Sequence, residues 1–123
     1  MLLISGMILI AGGGCNSDKG GPKALLETYF SSAVKQDYSA SYDCYYSAYK
    51  EKINKEEYIK HRKEASGLQA YRIVSLEQNG DTAYAEVLLT FSPSEKLKRK
   101  EAVSTTVKED LIKEGGEWKI KVW

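Results

Sequence analysis

An α+β fold, helices first and an antiparallel sheet second, is what the sequence predicts, and three observations carry that reading. Apolar residues recur at helical spacing between Pro22 and Gly67. Beyond Gly67 the period drops to two, with apolar and polar residues alternating as a sheet with one buried face requires. Asn79-Gly80 and Gly115-Gly116 then place tight turns between the alternating runs. Three helices ahead of about four strands leave the helices to cover one face of the sheet.

The chain opens with an uncharged apolar run, Leu2 to Ala11, followed by Gly12-Gly13-Gly14 and Cys15. A run of about ten apolar residues falls short of the roughly 20 that span a bilayer, but it suits the core of an export signal. The layout resembles a bacterial lipobox, in which small residues precede a cysteine that is lipidated on sulfur and becomes the new amino terminus. On that resemblance residues 1–14 are a signal peptide, Cys15 is the lipidation site, 15–21 are the lipidated cysteine and a polar tether, and 22–123 are the folded domain. The expected location is outside the bacterial cytoplasmic membrane, in the periplasm or on the outer membrane, held to the membrane by lipid.

Pro22 fits the first position of a helix, where its missing N–H is not needed, and Leu26, Tyr29, Phe30 and Ala33 follow on one face of a segment ending near Gln36. Tyr38, Tyr42, Tyr45, Tyr46 and Tyr49 recur at offsets that would lay five phenols along one side of a second helix. Asn54 with Glu57 resembles a capping box at the head of a third helix, which carries Tyr58 and Ile59 and ends at Gly67. The first strand is expected over Tyr71 to Gln78. In the second, Thr82 to Phe91, the residues Ala83, Ala85, Val87, Leu89 and Phe91 share the buried face and Glu86 points away. Pro93 and the basic cluster Lys96-Leu97-Lys98-Arg99-Lys100 form a loop. Val103, Val107 and Leu111 mark the inner face of the third strand, and Trp118, Ile120 and Val122 that of the fourth.

Composition bounds the function. About 100 residues follow the tether, enough for one domain with a single core. Lysine plus arginine number 18 against 17 acidic residues, a formal net charge of +1, so no field of one sign draws in nucleic acid. A lipidated Cys15 leaves Cys44 without an intrachain partner, and Cys44 reads as a small buried hydrophobe. The lone histidine, His61, lies in the charged stretch Lys60-His61-Arg62-Lys63 and is expected to face solvent. Glu57 and His61 stand one helical turn apart, but two ligands without a third make no metal site.

Several segments taken in order resemble a nuclear transport factor 2-like domain, a cystatin-like α+β cone, of the kind found in small uncharacterised bacterial lipoproteins. They are Gln36-Asp37-Tyr38-Ser39-Ala40, Lys52-Ile53-Asn54-Lys55-Glu56-Glu57-Tyr58, Gly80-Asp81-Thr82-Ala83 and Leu111-Ile112-Lys113-Glu114-Gly115-Gly116-Glu117-Trp118-Lys119-Ile120. The resemblance implies a curved sheet folded around a long helix, with a cavity at the open end of the cone. Members of that family use the cavity as isomerases or dehydratases, to bind small ligands, or as partner-binding modules. No catalytic residue transfers here by local sequence.

Tyrosine joins a large apolar ring to a hydroxyl that needs a partner, which suits the wall of a partly wet pocket. Tyr42, Tyr46 and Tyr49 are therefore the candidate pocket-lining residues, with no metal or cofactor expected. The favoured function is non-enzymatic binding of a small apolar or aromatic ligand or of an envelope protein. Two alternatives stay open: an isomerase- or dehydratase-like enzyme using a cavity acid that sequence does not locate, and a structural module that forms a homodimer through its sheet face.

Overall fold

The structure is a computed structural model that describes residues 17–65 and 67–122. The apolar run, Cys15 and Trp123 lie outside the described residues. Helix α1 spans Ser17–Val34 and changes direction at Gly21, whose φ of 72° and ψ of −160° interrupt the helical path. Pro22 follows this break and so starts the helical segment that enters the core, the position its sequence context predicts. That segment ends in a paired carbonyl cap: the Asp37 N–H donates to Ser32 O at 2.8 Å and the Gln36 N–H to Ala33 O at 3.1 Å. Gln36 sits at φ 64°, the left-handed position that such a cap requires and glycine usually fills.

The expected second helix is two short ones. Helix α2 is Tyr38–Tyr42, capped by the Asp37 carboxylate accepting the Ala40 N–H, and helix α3 is Ser47–Lys52. Between them the backbone leaves the helical path to lie beside the last strand: the Tyr46 N–H donates to Ile120 O at 2.9 Å and the Ile120 N–H to Cys44 O at 2.8 Å. This parallel bridge also covers a sheet edge that would otherwise stand open. Helix α4, Lys55–Ala65, begins as expected at Asn54, whose side-chain oxygen accepts the Glu57 N–H at 2.8 Å. Its Nδ2 meets the Glu57 carboxylate at 3.1 Å, so the pair closes through side chains.

The sheet is a four-stranded antiparallel meander in the order β1 (Leu68–Asn79), β2 (Thr82–Phe91), β3 (Val103–Glu114) and β4 (Glu117–Lys121). In β2, Ala83, Ala85, Val87 and Leu89 are buried while the residues between them are only partly so, as the alternation predicts. Glu86 lies opposite Lys108 on the other face. Strand β1 departs from simple alternation twice. Its register against β2 slips between Leu68 and Ala70 and again between Ile73 and Ser75, leaving Gln69 and Val74 as extra residues. Each bulge resets the parity, so Leu68 and Tyr71, and then Ile73 and Leu76, reach the core side although they stand three apart, and each bends the strand.

Leu25, Leu26, Tyr29 and Phe30 of α1 pack with Val87, Leu111, Trp118 and Ile120 of the sheet into one core. Cys44 belongs to it: its thiol is directed at Ala40 O, and burial pushes the thiol pKa up to about 11, which leaves it protonated at neutral pH. His61 is exposed, as its charged neighbours suggest. The basic cluster is not uniformly solvated. Arg99 turns inward, its Nε donating to Ser92 O at 3.1 Å and its guanidinium lying 5.5 Å from the Phe91 ring centroid, while Lys96, Lys98 and Lys100 stay exposed. Gly67 makes room for this arginine. A Cβ there would stand 2.6 Å from Arg99 Nη2, and its φ of 145° disfavours any side chain.

Candidate functional site

A cavity of about 330 Å³ lies between α1, α2, α4 and the inner face of the sheet. Its apolar wall includes Phe30 and Ala33 of α1, Leu68 of β1, Leu89 and Phe91 of β2 and Val107 of β3. Five polar residues, Tyr29, Tyr38, Tyr58, Arg62 and Glu109, share that lining. An apolar chamber with a few convergent polar groups is the usual build of a small-molecule site, and this volume stands near the small end of the roughly 300–1,000 Å³ range.

The polar groups are connected. The Tyr29 and Tyr45 hydroxyls meet at 2.5 Å, and Arg62 Nη2 donates to the Tyr45 hydroxyl at 3.2 Å. The Arg62 guanidinium also lies 5.2 Å from the Tyr58 ring centroid, a cation–π contact. With Arg62 donating into the Tyr45 oxygen, the Tyr45 proton is free for Tyr29, and Tyr29 then keeps its own proton for the cavity. Burial raises the pKa of both phenols, so both stay neutral and able to donate. The Tyr58 hydroxyl meets Ser41 Oγ at 3.1 Å.

Two groups stand out. Tyr38 is 3% exposed, and its hydroxyl is buried with no hydrogen-bond partner among the described residues. An unmade hydrogen bond on a buried hydroxyl costs about 1–3 kcal/mol, so a group left this way in a cavity wall invites a ligand atom. Glu109 projects from β3 on the parity of Val107 and Leu111, hence inward, and its carboxyl pKa is raised to about 7, chiefly by burial; Arg62 opposes the rise and Asp110 adds to it. At neutral pH this carboxyl is divided between its protonated and ionised forms.

The tyrosines singled out from sequence are placed elsewhere. The Tyr42 hydroxyl shares its one proton between two backbone carbonyls, Ile53 O at 2.7 Å and Lys50 O at 3.1 Å, and so ties α2 to the end of α3. The Tyr46 hydroxyl donates to Val122 O at 2.6 Å, and the Tyr49 ring lies 4.4 Å from that of Tyr45. None of the three lines this cavity. The regular stripe assumed one continuous helix, and the excursion of residues 43–46 to pair with β4 turns its later members away. Glu109 and Arg62 were readable: Glu109 alternates in step with Val107 and Leu111, and Arg62 stands one helical turn after Tyr58. Asp43 forms a surface ion pair with Lys55 at 3.1 Å. Among the described residues no group of three His, Cys, Asp or Glu side chains is placed to hold a metal ion.

In fold the chain is similar to a SEC-C motif-containing protein from Rhodopseudomonas palustris, at 14% identity over 88% of this chain and 79% of that one, with a TM-score of 0.69. It is also similar to a SEC-C motif-containing protein from Psychrobacter arcticus, at 11% identity and a TM-score of 0.65, covering 81% of this chain but only 58% of the other. A third likeness is to a nuclear transport factor 2-like transpeptidase from Campylobacter jejuni, at 16% identity over 84% of this chain and 99% of that one, with a TM-score of 0.51. At such identities these likenesses concern the fold. Comparison with protein-family profiles gives no match, and comparison with curated protein sequences gives none.

Proposed function

We propose that this protein is an envelope lipoprotein whose domain, of the nuclear transport factor 2-like kind, binds a small, partly apolar molecule in the cavity. The observation that carries the binding reading is the Tyr38 hydroxyl, buried in the cavity wall without a partner. A hydroxyl serving only the core would have found one, as those of Tyr42, Tyr46 and Tyr58 do. Native mass spectrometry of the protein purified from its own host tests this reading. The expected spectrum carries a non-covalent small-molecule adduct whose occupancy falls in Tyr38→Phe; adduct-free protein, or an adduct indifferent to Tyr38, speaks against it.

A second reading has its own support. Glu109, half ionised near neutral pH and sharing the cavity with the Tyr29–Tyr45 phenol pair, has the properties of a general acid or base. An enzyme working this way would lose turnover in Glu109→Gln while its affinity for substrate survived. A binding protein would show no turnover to lose.

The anchor rests on the apolar run that ends at Cys15. In a bacterial host, Cys15→Ser is expected to shift the protein from the membrane fraction to the soluble fraction or to leave an unprocessed precursor. Unchanged mass and unchanged membrane association would refute lipidation.

A further inference from the structure

Apart from Glu109, the polar groups around the cavity offer donors. Arg62 has N–H groups beyond the one given to Tyr45 and carries no acceptor. Tyr38 has an uncommitted hydroxyl, and Tyr29 retains a proton when Tyr45 donates to it. Donors lining an apolar chamber call for a ligand that supplies acceptors, and the guanidinium of Arg62, a lining residue that is exposed to solvent, favours an anion. A doubly charged phosphate would need more than one cation, and the only other ionisable group in the lining besides the phenols is Glu109, itself acidic. The remaining wall, Phe30, Ala33, Leu68, Leu89, Phe91 and Val107, requires an apolar body. Resting on the binding reading above, we propose that the ligand is a flat apolar monocarboxylate whose carboxylate is held by the Arg62 guanidinium and the Tyr38 hydroxyl while its body lies against Phe30, Leu89 and Phe91.

Glu109 makes such binding proton-linked. A carboxylate brought into the cavity adds a like charge close to Glu109, and two carboxylates sharing a small apolar site retain one proton between them. Arg62 of α4, Tyr29 of α1 and the neighbouring Asp110 act electrostatically on Glu109, and Tyr58 of α4 shares the cavity lining with it; of these only Arg62 carries positive charge. Above neutral pH the ligand therefore binds with uptake of one proton from solvent onto Glu109. At lower pH Glu109 is already protonated and offers one more donor.

A matched pair of probes tests this: 1-naphthoate, ionised throughout the range used, and its neutral counterpart 1-naphthalenemethanol, titrated by calorimetry at pH 6 and pH 8. The expected result is that the naphthoate binds at least about tenfold tighter than the alcohol at pH 6 and loses about tenfold between pH 6 and pH 8, as a carboxyl titrating near 7 requires, while the alcohol is unaffected. At pH 8, titrations in buffers of different ionisation enthalpy are expected to show uptake of about one proton. Glu109→Gln is expected to remove the pH dependence, and Arg62→Gln to abolish the preference for the naphthoate while still binding the alcohol, which also shows that the variant is folded. Equal affinity for both probes, or a pH dependence that survives in Glu109→Gln, overturns the inference and leaves the binding reading standing. Failure of both probes to bind also overturns the inference, while the binding reading stands or falls with the host-derived adduct.

Discussion

Glu109→Gln is expected to make the protein more stable above neutral pH and to leave it unchanged in acid. The carboxyl titrates near 7 in the folded protein against an ordinary value of 4.5, because burial disfavours its charge. The folded state therefore holds on to the proton over a pH range in which the unfolded state has lost it, and stability falls as pH rises from about 4.5 to about 7, then levels. Allowing for the partial exposure of Glu109, the loss amounts to about 2–3 kcal/mol. Glutamine cannot ionise and so does not incur it. Denaturant unfolding at pH 4.5 and pH 8 checks this: the variant should match the parent at the lower pH and exceed it by about 2–3 kcal/mol at the higher. A constant difference between the two proteins at both values would mean that Glu109 is solvated.

Val87→Pro is expected to abolish folding. Val87 is fully buried at the middle of β2, with Ile73 of β1 on one side and Val107 of β3 on the other. An interior strand gives each backbone N–H to one neighbour or the other, so proline removes a ladder hydrogen bond that water cannot replace, and its fixed φ resists the extended backbone. Together with the disturbed packing this costs on the order of 4 kcal/mol or more, a large part of the roughly 5–15 kcal/mol that holds a domain folded. The check is a circular dichroism spectrum and a thermal melt. A soluble variant with parental values for both would exclude Val87 from a central strand.

Local pattern made most of this fold legible. The alternation in β2, the turns at Asn79-Gly80 and Gly115-Gly116, and Pro22 at the head of the core-entering helix each rest on interactions between residues close in sequence. What was not legible depends on distant partners. Nothing near Cys44 announces that the chain will leave its helix to bond Ile120, yet that bond splits the tyrosine stripe and sends the Tyr42 and Tyr46 hydroxyls to backbone carbonyls. The two bulges of β1 are likewise invisible in sequence, because a bulge is defined by what the opposing strand does at that register. The site was half readable. Glu109 lies on the inner parity of its strand, a position where a carboxylate is costly and therefore informative. Tyr38 gives no such signal, since the missing partner of its hydroxyl is a property of the assembled wall.

The most direct test of the claim that this cavity is a binding site is to measure Tyr38→Phe twice, once for stability without ligand and once for retention of the ligand carried from the host. Removing a buried hydroxyl that has no partner leaves the ring in place and should stabilise the ligand-free protein by about 1 kcal/mol, while the hydrogen bond lost from the complex should weaken binding by about 0.5–1.5 kcal/mol. Stability gained and ligand lost, in one variant, is the predicted result. A variant less stable than the parent that keeps its ligand at full occupancy would show that the Tyr38 hydroxyl serves the core, and would contradict the assignment of this cavity as the site.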